Sequence, residues 1–186
     1  MTEASYLAGR LLLAMPGMGD PRFEHAVIAM FVHDGEGALG IGLGEVHPLL
    51  RLHALLEDVG IDPGGAPDCE VLLGGPVEQQ RGFVLHTPDW SAPGTLDAGP
   101  LGCLTGSLEV LRAIAAGTGP SRWLVALGYA GWGAGQLDGE MRQHGWFAAA
   151  GHREVVFDTP AALRWRAAWR AEGIDPALLA SETGRA

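Results

Sequence analysis

The chain has 186 residues, 47% hydrophobic and 18% charged, which suits one globular domain and excludes a disordered chain. Its net charge is −10 and all 12 basic residues are arginine, so its surface repels phosphate backbones at long range and direct nucleic-acid binding is not expected. No apolar run approaches the ~20 residues of a membrane span, and the short apolar start lacks the basic region of a signal peptide. The expected location is therefore the cytoplasm, with reduced thiols at Cys69 and Cys103. In chain order, "RLLLAM" (10–15) reads as a buried strand, and "HAVIAMFVH" (25–33), the turn "DGEG" and "ALGIGLG" (38–44) read as a hairpin. "HPLLRLHALLEDVGI" (47–61) has helical spacing, with Leu49, Leu52, Leu55, Leu56 and Val59 on one face and Gly60 as its stop.

Strands are expected at 69–76 and 81–87, followed by a long Pro/Gly-rich loop at 88–102. "SLEVLRAIAAG" (107–117) has a serine cap and a glycine stop, and so reads as a helix. A strand at 122–131, a helix at 135–146 and a strand at 152–158 follow. Pro160 opens a last helix, 161–173, that places Trp165 and Trp169 on one face. The fold class this gives is α/β with mixed sheet connections: hairpins in the first half, strand–helix–strand in the second.

The stretch "LGYAGWGAGQLDGE" (127–140) first suggests a phosphate loop, with Gly131, Gly133 and Gly135 between a strand and a helix and Asp158 ending the next expected strand. Its third glycine comes one residue early for a dinucleotide fingerprint, and too little chain follows for the further units such a fold needs. A tight structural corner explains it better. "LLGGPVEQQRGFVLH" (72–86) is a second glycine turn, carrying Arg81 and His86 on one strand. Five residues apart, these two face opposite sides and are not a ready catalytic pair. Cys103 precedes a helix N-terminus but lies in no cysteine-hydrolase signature, and "TGSLE" (105–109) reads as a helix cap, not a nucleophile elbow. No histidine pair has metal-ligand spacing, so neither metal nor cofactor is expected. The tryptophans and arginines of the last helix resemble a nucleic-acid stacking face, but their single stripe fits an amphipathic helix packed on the sheet.

The blocks "LLLAMPGMGDPRFEHAV", "LLGGPVEQQRGFVLH", "LTGSLEVLRAIAAG", "LGYAGWGAGQLDGEM" and "VVFDTP" occur in the order and spacing of the YqgE/AlgH family of bacterial proteins, which the chain resembles over about residues 7–180. The resemblance implies a single compact α/β domain, α+β-like, whose mixed, bent sheet includes a small barrel and is surrounded by helices. It implies no established catalytic activity; some members carry a transcriptional-regulator label from alginate production in pseudomonads. The chain departs from the family at "IGLGEVHP" (41–48), where Glu45 and His47 stand in place of an Asn-Arg pair before the proline.

These readings lead to a non-enzymatic cytoplasmic protein that binds a partner protein or a small anionic ligand, with a role in regulation. Gly74, Gly75, Arg81, His86, Tyr129, Trp132 and Gln136 are the candidate ligand-binding residues, since glycines let backbone N–H groups approach a guest closely. The alternatives are a small enzyme using His86 or Cys103, and a nucleic-acid-binding protein.

Overall fold

The computed structural model describes residues 6–17, 24–143 and 145–183, with side chains as far as residue 179. The "MGDPRF" part (18–23) of the first family block lies outside the described residues. The strands are β1 (Leu11–Ala14), β2 (Val27–Asp34), β3 (Gly37–Gly42), β4 (Val46–Arg51), β5 (Glu70–Leu73), β6 (Val77–His86), β7 (Leu96–Asp97), β8 (Cys103–Thr105), β9 (Trp123–Gly133) and β10 (Trp146–Ala149). The helices are α1 (Leu52–Asp58), α2 (Leu108–Ala116), α3 (Gln136–Arg142), α4 (Arg153–Phe157), α5 (Arg164–Ala171) and α6 (Pro176–Thr183).

One mixed sheet runs in the order β10-β1-β2-β3-β9-β6-β8-β7, with β5 parallel to β9 and β4 hung on β5. The path is open at β10 and β7, so the small barrel implied by the family resemblance is not closed. The expected hairpin is β2–β3, its turn fixed by Asp34, whose carboxylate accepts the Glu36 N–H at 2.8 Å.

Both faces of the sheet are buried. One face carries Leu11, Leu13, Val27, Phe31, Phe83 and Leu85 against α4 and α5, where Trp165 and Trp169 sit. The other is covered at one end by α1 and α2, over Val71, Val84, Val125 and Leu127, and at the other by α3, whose Leu137 meets Leu12, Ile28 and Met30. Trp165 and Trp169 thus face the core together, as their four-residue spacing requires, and the Trp165 indole donates to the Ala14 carbonyl at 2.9 Å.

Three expectations change. The helix expected from residue 47 begins only at Leu52: Pro48 lies in β4, and the His47 ring Nδ1 takes the N–H groups of Leu49 and Leu50 at 3.1 and 2.9 Å. Leu49 is consequently 88% exposed, whereas Leu52, Leu55 and Leu56 are buried. The helix expected over 135–146 stops at Arg142, and Trp146 starts β10, which supplies β1 with an antiparallel partner. The strand expected over 152–158 is the short helix α4: Val155 and Val156 are buried side by side against the core, and this tertiary contact overrides their β preference. Within the expected loop 88–102, a two-residue strand (β7) and a 3₁₀ turn (Gly99–Leu101) form, and the rest is irregular.

Candidate functional site

β9 is the strand on which the site residues depend. Its first half pairs with β5 on one edge and β6 on the other; its second half, Ala130–Gly133, pairs with β3. The change of neighbour falls at Gly128, which takes φ +76°, a left-handed conformation that glycine adopts without penalty. Before it, Leu124 and Ala126 point to the α4–α5 face; after it Tyr129 points to that same face, and Ala130 and Trp132 point to α3. Gly128 therefore shifts the side-chain alternation by one residue, as a bulge does.

The glycine blocks meet at this kink. The Gly74 amide donates to the Leu127 carbonyl and its own carbonyl accepts from the Gly42 amide, both at 2.7 Å, so Gly74 ties β9 to β3. A Cβ at Gly74 would fall under 3.0 Å from the Gly128 carbonyl oxygen, and one at Gly75 would collide with the Tyr129 backbone. Gly74 and Gly75 are thus turned toward the crossing strand.

Above the crossing lies the polar half of β6. Its pairing with β9 is interrupted between Val77 and Gly82, and Glu78 takes φ +46°, strained for a residue with a side chain. The exposed Arg81 guanidinium sits 5.0 Å from the centre of the Phe83 ring and 3.4 Å from the Glu78 carboxylate. Tyr129 meets Phe83 edge-on at 5.8 Å, and a hydrogen bond with Glu78, then burial, holds its phenol above its ordinary range. Arg81, Tyr129, Gly74 and Gly75 therefore gather in one place, joined by Glu78 and Phe83, which sequence reasoning missed. Phe83 was visible as the i+2 neighbour of Arg81 on a strand; the strain at Glu78 has no signal in the sequence.

His86 is elsewhere, fully buried on the opposite face. Its Nδ1 lies 2.8 Å from the Thr87 carbonyl, which can only accept, so Nδ1 carries the proton and Nε2 accepts from the Thr105 hydroxyl at 2.8 Å. Thr95 bonds Thr105 at 2.8 Å and accepts from the Ala92 amide at 3.0 Å, so this chain fastens the irregular segment 88–102 to the sheet. Cys103 is the cross-strand partner of His86, but burial, with Asp97 nearby, pushes its thiol up, away from the thiolate a nucleophile requires.

Trp132 and Gln136 form a third group. The Trp132 indole donates to Glu140 at 2.7 Å, and the Gln136 side chain accepts the Gly133 amide at 3.0 Å. Both bonds hold α3 against β9, so the tryptophan is clasped by the helix. Among the described residues no hydrogen bond, ion pair or ring contact joins Arg81, His86 and Trp132 to one another, and no group of three or more His, Cys, Asp or Glu could hold a metal ion. No helix of the described residues is long and apolar enough to cross a membrane. At the departure from the family pattern, Glu45 contributes its carbonyl to the Leu73 amide at 2.9 Å, and His47 orders the approach to α1.

These features define a mixed α/β protein whose glycine blocks close a strand crossing beneath an exposed arginine–aromatic cluster. Residues 11–177 match the AlgH-like family (DUF179), and the chain belongs to that family. A UPF0301 protein of Novosphingobium aromaticivorans is 66% identical over 186 residues, with 100% of both chains covered, and one of Rhizorhabdus wittichii is 60% identical with the same coverage. The solution structure of the AlgH protein from Pseudomonas aeruginosa is similar with a TM-score of 0.81 and 36% identity, covering 100% of this chain and 99% of that one. A crystal structure from Corynebacterium diphtheriae, at 20% identity and a TM-score of 0.75 over 97% of this chain and 94% of its own, shares the fold.

Proposed function

We propose that the chain is a non-enzymatic, cytoplasmic binding protein that takes an anionic group, on a small ligand or on a partner protein, at the face of Arg81 and Tyr129, and acts in regulation through it. The observation that carries this reading is the Arg81 guanidinium, exposed and seated over the Phe83 ring beside a strained Glu78. A delocalised cation on an aromatic face presents its N–H fork outward, the geometry that suits carboxylate and phosphate, and strain of this kind clusters at binding sites. Gly74 and Gly75 shape the floor of this site, whereas His86, Trp132 and Gln136 serve the scaffold in this reading. The regulator label of some relatives fits binding to a partner better than binding to DNA, given the charge of −10.

The test is a thermal-shift screen with inorganic phosphate, nucleotides and di- and tricarboxylates, on the wild type and on Arg81→Ala. A ligand at about 100 times its Kd adds about 2.7 kcal/mol of stability. A shift in the wild type that Arg81→Ala abolishes supports the reading. Flat curves across the panel rule out the small-ligand form, and a shift untouched by Arg81→Ala rules out this site.

A further inference from the structure

A buried histidine outside the site holds the start of the described chain. His33, with its side chain 3% exposed, lies at the end of β2, and a shift in register between Met30 and Val32 lets it face α3. Its Nδ1 accepts the Leu7 N–H at 3.0 Å, and its Nε2 is 3.3 Å from Asp138 Oδ1 on α3. A backbone N–H can only donate, so Nδ1 is bare and the ring proton of the neutral form sits on Nε2, directed at the carboxylate. Leu7 is 4% exposed and packs in the cluster of Leu12, Met30 and Leu137, while Tyr6 meets the ring edge-on at 5.8 Å.

We infer that His33 is a pH-operated latch on the segment Tyr6–Gly9. A second proton has only Nδ1 to occupy, where it points at the Leu7 N–H, donor against donor. The Nε2 contact with Asp138 keeps the ring in place, so the contact that breaks is the one to Leu7. Among the described residues, the groups facing the ring are Asp138 from α3 and the Tyr6 phenol from the N-terminal segment. The next strands bring only Ala38 of β3 and, beyond it, Trp132 of β9 into the same row, neither of which titrates. Glu140 is engaged by the Trp132 indole, and Asp34 by the hairpin turn. Acidification thus frees Leu7 and uncovers the edge of the Met30 cluster while the sheet stays paired.

The experiment is amide hydrogen exchange on the whole protein, corrected for the intrinsic pH dependence, with the protonation of the His33 ring followed by nitrogen-detected NMR. From about pH 8 to about pH 5 the Leu7 amide should lose about tenfold in protection, in step with His33 and with little change at Met30. In His33→Asn, whose side-chain oxygen replaces Nδ1 as a permanent acceptor, the step should vanish. Constant Leu7 protection while His33 titrates overturns the latch. So does a ring that stays singly protonated until the protein unfolds, and the wild-type data decide both even if the variant does not fold.

Discussion

Gly74 and Gly128 approach so closely that neither can carry a side chain: a Cβ on Gly74 would meet the Gly128 carbonyl oxygen, and one on Gly128 the Gly75 carbonyl oxygen, each under 3.0 Å. The obstacle in each case is backbone, which cannot swing away. Gly74→Ala should therefore cost at least about 3 kcal/mol, more than an ordinary overpacked core position. Urea denaturation reads this as a lower midpoint at unchanged slope. Gly135 has open space around its Cβ position, and although its φ of +72° still costs something, Gly135→Ala should be the milder change.

Glu78 tests whether strain is kept for stability or for something else. With φ at +46°, it sheds strain by becoming glycine and gives up in exchange an exposed pair with Arg81 and a bond with the Tyr129 phenol. Glu78→Gly should be neutral or gain up to about 1 kcal/mol in thermal or urea unfolding. Arg81→Ala should change stability by less than about 1 kcal/mol, because its pair with Glu78 is solvent-exposed. A clear loss of stability in either variant would mean that the cluster is structural.

Asp89 gives the chain a pH dependence of known sign. Its carboxylate accepts from the Thr87 hydroxyl at 2.6 Å and the Ser121 amide at 3.1 Å, and these bonds, that of Thr87 first, hold its pKa below the usual carboxylate value. A depressed folded value means that the contribution is present above the unfolded carboxylate range and is lost as pH falls through the folded value. Wild-type stability should therefore decline more steeply on acidification than that of Asp89→Asn, and the two curves should converge at low pH. Parallel curves would remove Asp89 from the acid response.

Two tryptophans one turn apart separate a hydrogen bond from volume. The Trp165 N–H donates to the Ala14 carbonyl, whereas the equally buried Trp169 N–H has no partner. Trp165→Phe strands a buried carbonyl and should cost about 1–3 kcal/mol beyond the packing loss. Trp169→Phe loses packing alone, so in calorimetry Trp165→Phe should melt lower.

The hairpin, α2 and the inward tryptophan stripe were legible because each follows a local signal: a turn sequence, a glycine that ends the helix in the left-handed conformation, and a four-residue spacing. Ser107 holds the N-cap position of α2, but its buried hydroxyl makes no capping bond. What was hidden depended on contacts across the chain. Leu49 fits the helical face of α1, but Val46–Arg51 pairs with β5 as β4 instead, and the His47 ring accepts the Leu49 and Leu50 amides there. Val155 and Val156 look like a strand and bury as a helix because β1 finds its partner in Trp146–Ala149. Of the candidate site, all seven residues were read as one set, whereas Arg81 and Tyr129 come together only through Glu78 and Phe83, and His86, Trp132 and Gln136 lie elsewhere. The corner "GYAGWGAGQ" is a device for reversing side-chain parity and seating α3, which no count of glycines reveals.

Because β9 is bonded to β3, β5 and β6, it belongs to both ends of the sheet. The hairpin end and the β5–β6–β8 end therefore cannot melt as independent foldons, since loss of either strips hydrogen bonds from the strand the other needs. A chain assembled from two visibly different halves is thereby tied together through one shared strand.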